Sequence, residues 1–72
     1  MVGVGATVRA EAARRGLTQA ALSRAIGVPH ATLSRRLRGL SPFTVTEIIA
    51  VAAALDLPVS ALITAEPLAD AV

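Results

Sequence analysis

The sequence of 72 residues contains no cysteine, which excludes a disulfide framework and a zinc site built on thiolates. Its single histidine, His30, cannot hold a metal ion alone, and no pair of carboxylates is placed on one face of a predicted helix. The side chains that usually build a catalytic centre are therefore missing. We expect a protein that is not an enzyme and that needs neither a metal nor another cofactor.

Aromatic residues and long apolar runs are also scarce. Phe43 is the only aromatic residue, whereas proteins that bind single strands usually offer several for stacking, so we expect Phe43 in the core. The longest stretch without a charge, residues 25–34, contains glycine, proline and polar residues and is shorter than the roughly 20 apolar residues of a membrane span. No basic cluster precedes an apolar run at the N-terminus. We expect neither a membrane helix nor a secretory signal.

Charge is distributed unevenly along the chain. Residues 1–39 contain all seven arginines and one glutamate, a net charge of +6, whereas residues 40–72 contain four acidic residues and no basic one. This separation indicates either a surface that faces a polyanion or arginines that only keep an alanine-rich protein soluble. Charge alone leaves both interpretations open.

Glycine, proline and capping residues divide the chain into short helical segments. The predicted helices span residues 4–15, 18–26, 30–38, 45–55 and 58–66. They predict a compact all-α bundle of five helices, forming one domain over residues 1–66, with a frayed tail over residues 67–72.

Two of these helices begin with clear capping signals. Thr18 is the expected N-cap of the second helix, and Thr44 with Glu47 forms a T-x-x-E capping box ahead of the fourth. The fourth helix is apolar almost all round, which predicts a central position in the bundle.

The predicted core consists of apolar side chains at helical spacing. Its members are Val8, Leu22, Ile26, Val28, Leu33, Leu37, Phe43, Ile48, Val51, Ala52, Leu55 and Leu62. Few of them are large, and one buried Leu or Ile contributes roughly 1.5–3 kcal/mol. We therefore expect only marginal stability.

Residues 18–39 carry the most informative pattern. They form a predicted helix, a short turn marked by Gly27, and a second helix that begins with polar residues, which is the spacing of a helix-turn-helix over residues 18–38. The turn is too short for the two helices to lie side by side, so the second, residues 30–38, projects from the surface. Such a helix fits the major groove of B-DNA, which is about 12 Å wide.

This region resembles the phage-repressor and Cro-type helix-turn-helix family, the lambda-repressor-like domain. The matching features are GLTQ at residues 16–19, Leu22, IGV at residues 26–28, TLSRRLRG at residues 32–39, and residues 42–63 as the family's fourth and fifth helices. The resemblance extends over residues 8–63, most of the chain.

The resemblance implies a sequence-specific regulator of transcription that binds double-stranded DNA. A repressor of phage, prophage or bacterial type is expected, in the cytoplasm of a bacterium or a phage-infected cell. One recognition helix reads about half a site, so a homodimer on a near-palindromic operator is expected. The family's dimer contacts point to Leu57, Pro58 and Val59.

Recognition helices enter the groove with the N-terminal end first. His30, Ala31, Thr32 and Arg35 are therefore the candidates for reading bases. Arg35 has the side chain for a bidentate contact to guanine, and Thr32 or Ala31 is suited to a thymine methyl group.

Other polar residues are candidates for phosphate contacts. Gln19 occupies the position of the family's phosphate-contacting glutamine at the start of the second helix. Further candidates are Ser34, Arg38 and the more peripheral Arg24, whereas Arg9, Arg14 and Arg15 are expected on a solvated face.

The sequence departs from the family pattern at several positions. Ser23 stands where alanine is usual, at a close contact between helices, and is small enough to fit. Arg36 stands where an apolar residue is usual, so it either faces DNA or lies across the domain surface. His30 and Ala31 stand where relatives often have Gln or Ser, which implies a sequence preference of this protein's own.

Two other functions remain open. The same fold occurs in antitoxins, so the acidic half, with Leu40 or Leu68 exposed, is a candidate surface for a protein partner. A sequence-blind architectural DNA binder would use the same basic surface and have equal affinity for all duplexes.

Overall fold

The computed structural model describes residues 3–63, which form an all-helical domain without a β-strand in that range. The elements in order are α1 (Val4–Arg14), α2 (Gln19–Ile26), α3 (His30–Leu37), α4 (Val45–Leu55) and a 3-10 turn (Val59–Ala61). The all-α prediction is therefore confirmed, with four α-helices in the described range.

The predicted fifth α-helix is wrong for the described residues, where a single 3-10 turn takes its place. The amide of Ala61 bonds to the Pro58 carbonyl at 3.0 Å, and the amide of Leu62 bonds to the Val59 carbonyl at 2.9 Å. This tight turn is enough to bury Leu62 completely, so the core needs no full helix here. The predicted continuation to residue 66 and the tail over residues 67–72 lie outside the described residues.

The capping predictions for α2 and α4 are confirmed. Thr18 Oγ1 accepts a hydrogen bond from the Ala21 amide at 3.1 Å. At α4 the Glu47 amide donates to Thr44 Oγ1 at 3.0 Å, and the Thr44 amide donates to Glu47 Oε1 at 2.9 Å. Both helices therefore begin where their side chains satisfy otherwise free backbone amides.

The core contains most of the predicted residues, including Phe43, which is only 2% exposed. Two residues of the first helix, Val4 and Ala12, are buried with them. Ile26 and Val28 are half-buried and pack against the core from outside. The core therefore contains side chains from all four helices.

Helix α4 has one buried side and one exposed side, although its sequence is apolar almost all round. Its buried side consists of Ile48, Val51, Ala52 and Leu55. Its other side faces solvent, where Ile49 remains 54% exposed. Apolar residues on every side of a helix do not specify which side packs, and here α1, α2 and the 3-10 turn pack against the buried side. None of the helices within residues 3–63 has the length and hydrophobicity to cross a membrane.

Candidate nucleic-acid interface

The turn between α2 and α3 is fixed by Ser23. Its carbonyl accepts hydrogen bonds from the amides of Gly27 and Val28 at 3.0 and 3.2 Å, and its hydroxyl donates to the Val28 carbonyl at 2.5 Å. Gly27 adopts φ 69°, a left-handed conformation that glycine reaches without strain. Serine in place of the family's usual alanine thus adds a bond that stabilises the turn.

Helix α3, the second helix of the motif, has one buried side and one free side. Leu33 and Leu37 are buried in the core. Arg35 lies midway between them, two residues from each, and therefore points to the opposite side of the helix. Ala31 and Arg38 are four residues before and three residues after Arg35, so they share its exposed side.

The structure places three candidate base-reading residues, His30, Ala31 and Thr32, in the first turn of α3, and the fourth, Arg35, in the second half of the helix. His30, Ala31 and Arg35 are exposed, and Thr32 is half-buried. Pro29 precedes the helix with its carbonyl bonded to the Leu33 amide at 2.9 Å. The first turn of α3 thus combines an exposed polar end with a firmly closed backbone.

The candidate phosphate-binding residues lie on both helices of the motif. Gln19 is the first residue of α2 and is half-buried, and Arg24 is exposed in the last turn of that helix. Ser34 is half-buried in α3. Arg38 caps α3 and is exposed, with its Nε 3.4 Å from the Ser34 carbonyl.

Glu11 separates the arginines of α1 into two kinds. Its carboxylate binds Arg15 at 2.7 Å and lies 3.5 Å from Arg14. The hydrogen bond from Arg15 lowers the pKa of Glu11. Arg9 has no such partner among residues 3–63. All three arginines are exposed, as expected for a solvated face, but the positive charge of Arg14 and Arg15 is partly neutralised whereas that of Arg9 is not.

Arg36 lies across the domain surface rather than on the free side of α3. It donates from Nε and Nη2 to the two carboxylate oxygens of Glu47, at 2.9 and 3.3 Å, and from Nη1 to Ser41 Oγ at 2.6 Å. Its side chain is 20% exposed and that of Glu47 is 16% exposed. The guanidinium is therefore engaged by α4 and by the loop before it.

Glu47 has two structural roles at once, because it caps α4 and binds Arg36. Burial opposes its ionisation, but the hydrogen bonds from Arg36 and Thr44 outweigh that effect, so the pKa of this carboxyl lies below its ordinary value. The sequence pattern identified the cap but gave no sign of the pairing, which joins residues eleven apart.

The candidate dimer residues follow α4 directly. Leu57 and Val59 are half-buried and pack against the core, whereas Pro58 is exposed. Further apolar side chains are exposed elsewhere in the described range. They are Leu40, Val45, Ile49 and Ile63. Leu40 was expected to be exposed, whereas Leu68 lies outside the described residues.

Four arginines have no carboxylate partner among residues 3–63: Arg9, Arg24, Arg35 and Arg38. Two of them belong to α3 or its cap, and one to α2. The same part of the chain offers no group of histidine and acidic side chains able to hold a metal ion. The free positive charge is therefore centred on the helix-turn-helix.

Comparison with protein families gives a match over most of the chain. The sequence model of a helix-turn-helix family matches residues 8–62, close to the range over which the resemblance was seen. No curated protein sequence matches the chain significantly.

Several solved structures have the same fold. The restriction-modification controller protein C.AhdI from Aeromonas hydrophila has a TM-score of 0.79 at 25% identity, with 83% of this chain and 91% of that chain covered. The N-terminal DNA binding domain of SinR from Bacillus subtilis has a TM-score of 0.77 at 25% identity, with 82% of this chain and 87% of that chain covered. The P22 c2 repressor, solved with a synthetic operator, has a TM-score of 0.81 at 23% identity, with 92% of this chain and 100% of that chain covered.

Proposed function

The chain belongs to the helix-turn-helix family, and we propose that it is a sequence-specific regulator of transcription that binds double-stranded DNA. A repressor of phage, prophage or bacterial type is the form we favour, since the P22 c2 protein is a repressor seen with an operator and C.AhdI is a controller protein. It acts by binding rather than by catalysis, and no cofactor is needed.

One observation carries this proposal: α3 combines a buried side with a free side that has an unpaired arginine at its centre. Leu33 and Leu37 anchor the helix, and Arg35 points away from them into solvent. An exposed guanidinium on a projecting helix matches the bidentate pattern of guanine O6 and N7 in the major groove. A structural ion pair does not explain the presence of Arg35 here, because no carboxylate within residues 3–63 binds its guanidinium.

Base reading is proposed for the exposed side of α3, from its first turn to Arg35. Arg35 reads a guanine, and the Ala31 or Thr32 side chain packs against a thymine methyl group. His30, exposed in the first turn, contacts a neighbouring base edge. Ala31 and His30 differ from the residues common in the family, so the preferred sequence is expected to be particular to this protein.

Phosphate contacts hold the domain on the duplex. Gln19 contacts a backbone oxygen at the start of α2, where free amides also favour an anion. Ser34 and Arg38 extend these contacts along α3, and Arg24 adds a peripheral one. Arg36 is not part of this set, because Glu47 and Ser41 engage its guanidinium.

A homodimer on a near-palindromic operator is the proposed binding form, since one recognition helix covers about half a site. The proposed contact region is Leu57, Pro58 and Val59. Pro58 is exposed there, and the half-buried Leu57 and Val59 link it to the core. A dimer contact would therefore be transmitted directly to the packing of α4.

A protein-interaction module is the second candidate function. It is favoured by the apolar side chains that α4 leaves in solvent, with Val45 and Ile49 one turn apart and 44% and 54% exposed. In that case the acidic half binds a protein partner, as in antitoxins of this fold. A sequence-blind architectural role needs only the arginines and no defined base contacts.

Selection from a random pool of duplexes at near-physiological salt separates these functions. An enriched motif with two-fold symmetry supports the specific dimer, and an enriched single half-site supports specific binding by a monomer. Retention without enrichment would replace the proposal with the architectural role. No retention would overturn DNA binding and favour a protein partner.

A further inference from the structure

A cleft of about 200 Å³ lies between the start of α1 and the end of α3. It is lined by Gly3, Gly5, Ala6, Arg9, Leu37, Arg38 and Gly39. The small residues of α1 keep it open. At Gly5 the two helices touch so closely that an added Cβ would lie 2.6 Å from the Arg36 carbonyl oxygen. The position of the cleft relative to α3 is therefore fixed by backbone contact.

Two arginines from different helices flank this cleft. Arg9 has no ion pair or hydrogen bond of its side chain within residues 3–63, and Arg38 bonds only to the Ser34 carbonyl of its own helix. No lining residue in the described range is acidic. Arg14, on the same helix as Arg9, binds Glu11 instead. Two like charges thus border one opening without an anion between them.

We propose that this cleft binds a backbone phosphate of the duplex that α3 reads, with Arg9 as a phosphate-binding residue. The inference rests on the proposed function and extends its contact surface to α1. A guanidinium offers a planar set of donors that fits phosphate oxygens, and a second one from Arg38 would hold the same group from the other side.

The location explains why DNA is the source of the phosphate. Arg38 lies three residues beyond the base-reading Arg35, about 4.5 Å farther along the helix axis at 1.5 Å per residue. The end of α3 therefore leaves the groove beside one of its two strands, since the major groove is only about 12 Å wide. The cleft opens at that end.

Salt titration of binding to one arbitrary duplex of about two helical turns tests the proposal, because phosphate contacts do not depend on sequence. The Arg9→Ala and Arg14→Ala variants remove the same charge from the same helix. The slope of log affinity against log salt should fall in magnitude for Arg9→Ala, by up to about 0.9, the value for one complete phosphate contact, since Arg38 remains at the same group. It should stay at the wild-type value for Arg14→Ala.

Adding an acid to the lining provides an independent measurement. The Ala6→Glu variant places a carboxylate at the cleft, whereas Ala13→Glu places it about 10 Å farther along α1. Binding to the same duplex should weaken several-fold more for Ala6→Glu. The Arg9→Ala and Arg38→Ala effects should also be less than additive, since both side chains hold one phosphate. Circular dichroism establishes that each variant is folded.

Equal slopes for the Arg9 and Arg14 variants would overturn the phosphate site while leaving duplex binding by the wild type intact. Equal weakening by the two glutamate variants would do the same, since it would reflect net charge alone. If the wild-type protein binds no duplex at any salt concentration, the proposed function fails, and the cleft proposal fails with it.

Discussion

Arg36 of α3 is bound by Glu47 of α4 through two hydrogen bonds, at 2.9 and 3.3 Å. Glu47 also accepts a hydrogen bond from the backbone amide of Thr44 and so completes the capping box of α4. One carboxylate therefore joins the start of α4 to the side of α3. The orientation of the proposed base-reading surface is coupled in this way to the helix that precedes the proposed dimer contact.

A double-mutant cycle on this pair should detect a coupling free energy of about 1 kcal/mol. Both side chains are mostly buried and hydrogen-bonded, so the value should reach the upper end of the range for exposed ion pairs. Urea unfolding of Arg36→Ala, Glu47→Gln and the double variant measures it. Arg24→Ala, which removes an unpaired exposed arginine, should change stability by less than about 0.5 kcal/mol. A coupling indistinguishable from zero would contradict the structural role of the pair.

The same pair predicts a dependence of stability on pH. The folded-state pKa of Glu47 lies below its ordinary value, so its ionised form stabilises the fold. This stabilisation is complete above the unfolded-state pKa of about 4.3 and is lost as the pH falls through the lower folded-state pKa.

Unfolding of the wild type and Glu47→Gln from neutral pH down to about pH 3 measures this effect. The difference in unfolding free energy should be largest at neutral pH and should shrink in acid. The difference between the two proteins is the informative quantity, because the pKa of Glu11 is also lowered and that group titrates in both. A difference in unfolding free energy that is constant over the whole pH range would show that the charge of Glu47 does not stabilise the fold.

Gly5→Ala should destabilise the protein by about 1–3 kcal/mol, although alanine favours helices. The new Cβ would lie 2.6 and 2.7 Å from the carbonyl oxygens of Arg36 and Leu37, which belong to helix backbone and have little room to move. Thermal or urea unfolding gives the change. Ala10→Gly, at an exposed position of α1, measures the intrinsic helix preference of alanine over glycine for comparison. An equally stable or more stable Gly5→Ala variant would mean that α1 and α3 pack less closely.

Local signals made much of this fold predictable. Thr18, the Thr44 and Glu47 box, and Gly27 act within one helical turn, so the starts of α2 and α4 and the turn before α3 could be read from the sequence. The segment after Pro58 could not be, because proline and apolar spacing permit both a 3-10 turn and an α-helix.

Contacts between helices at the candidate interface could not be predicted from the sequence. The pairing of Arg36 with Glu47 spans eleven residues and depends on where the fold places the start of α4 relative to α3. The different surroundings of Arg9 and Arg14 depend on Glu11 and on the approach of α1 to α3 at Gly5. Sequence spacing placed Arg35 on the free side of α3 correctly, since that follows from helical periodicity alone.

Gln19→Ala should weaken binding to all duplexes by a similar factor. Gln19 lies at the first residue of α2, where it is proposed to contact a phosphate oxygen, and such contacts carry no sequence information. Gln19→Glu should weaken binding further through repulsion. Binding measured on the preferred duplex and on an unrelated one tests this. A loss confined to one of the two duplexes would contradict the phosphate role.

If α3 reads bases through Arg35, the Arg35→Ala variant should change which duplexes the protein prefers. Duplexes with each base pair substituted in turn are bound to the wild type, Arg35→Ala and Arg24→Ala. Arg35→Ala should lose about 1–3 kcal/mol on the preferred duplex and lose discrimination at one base pair. Arg24→Ala should weaken all duplexes alike and keep the preference. Full wild-type discrimination by Arg35→Ala would contradict the assignment of base reading to this residue.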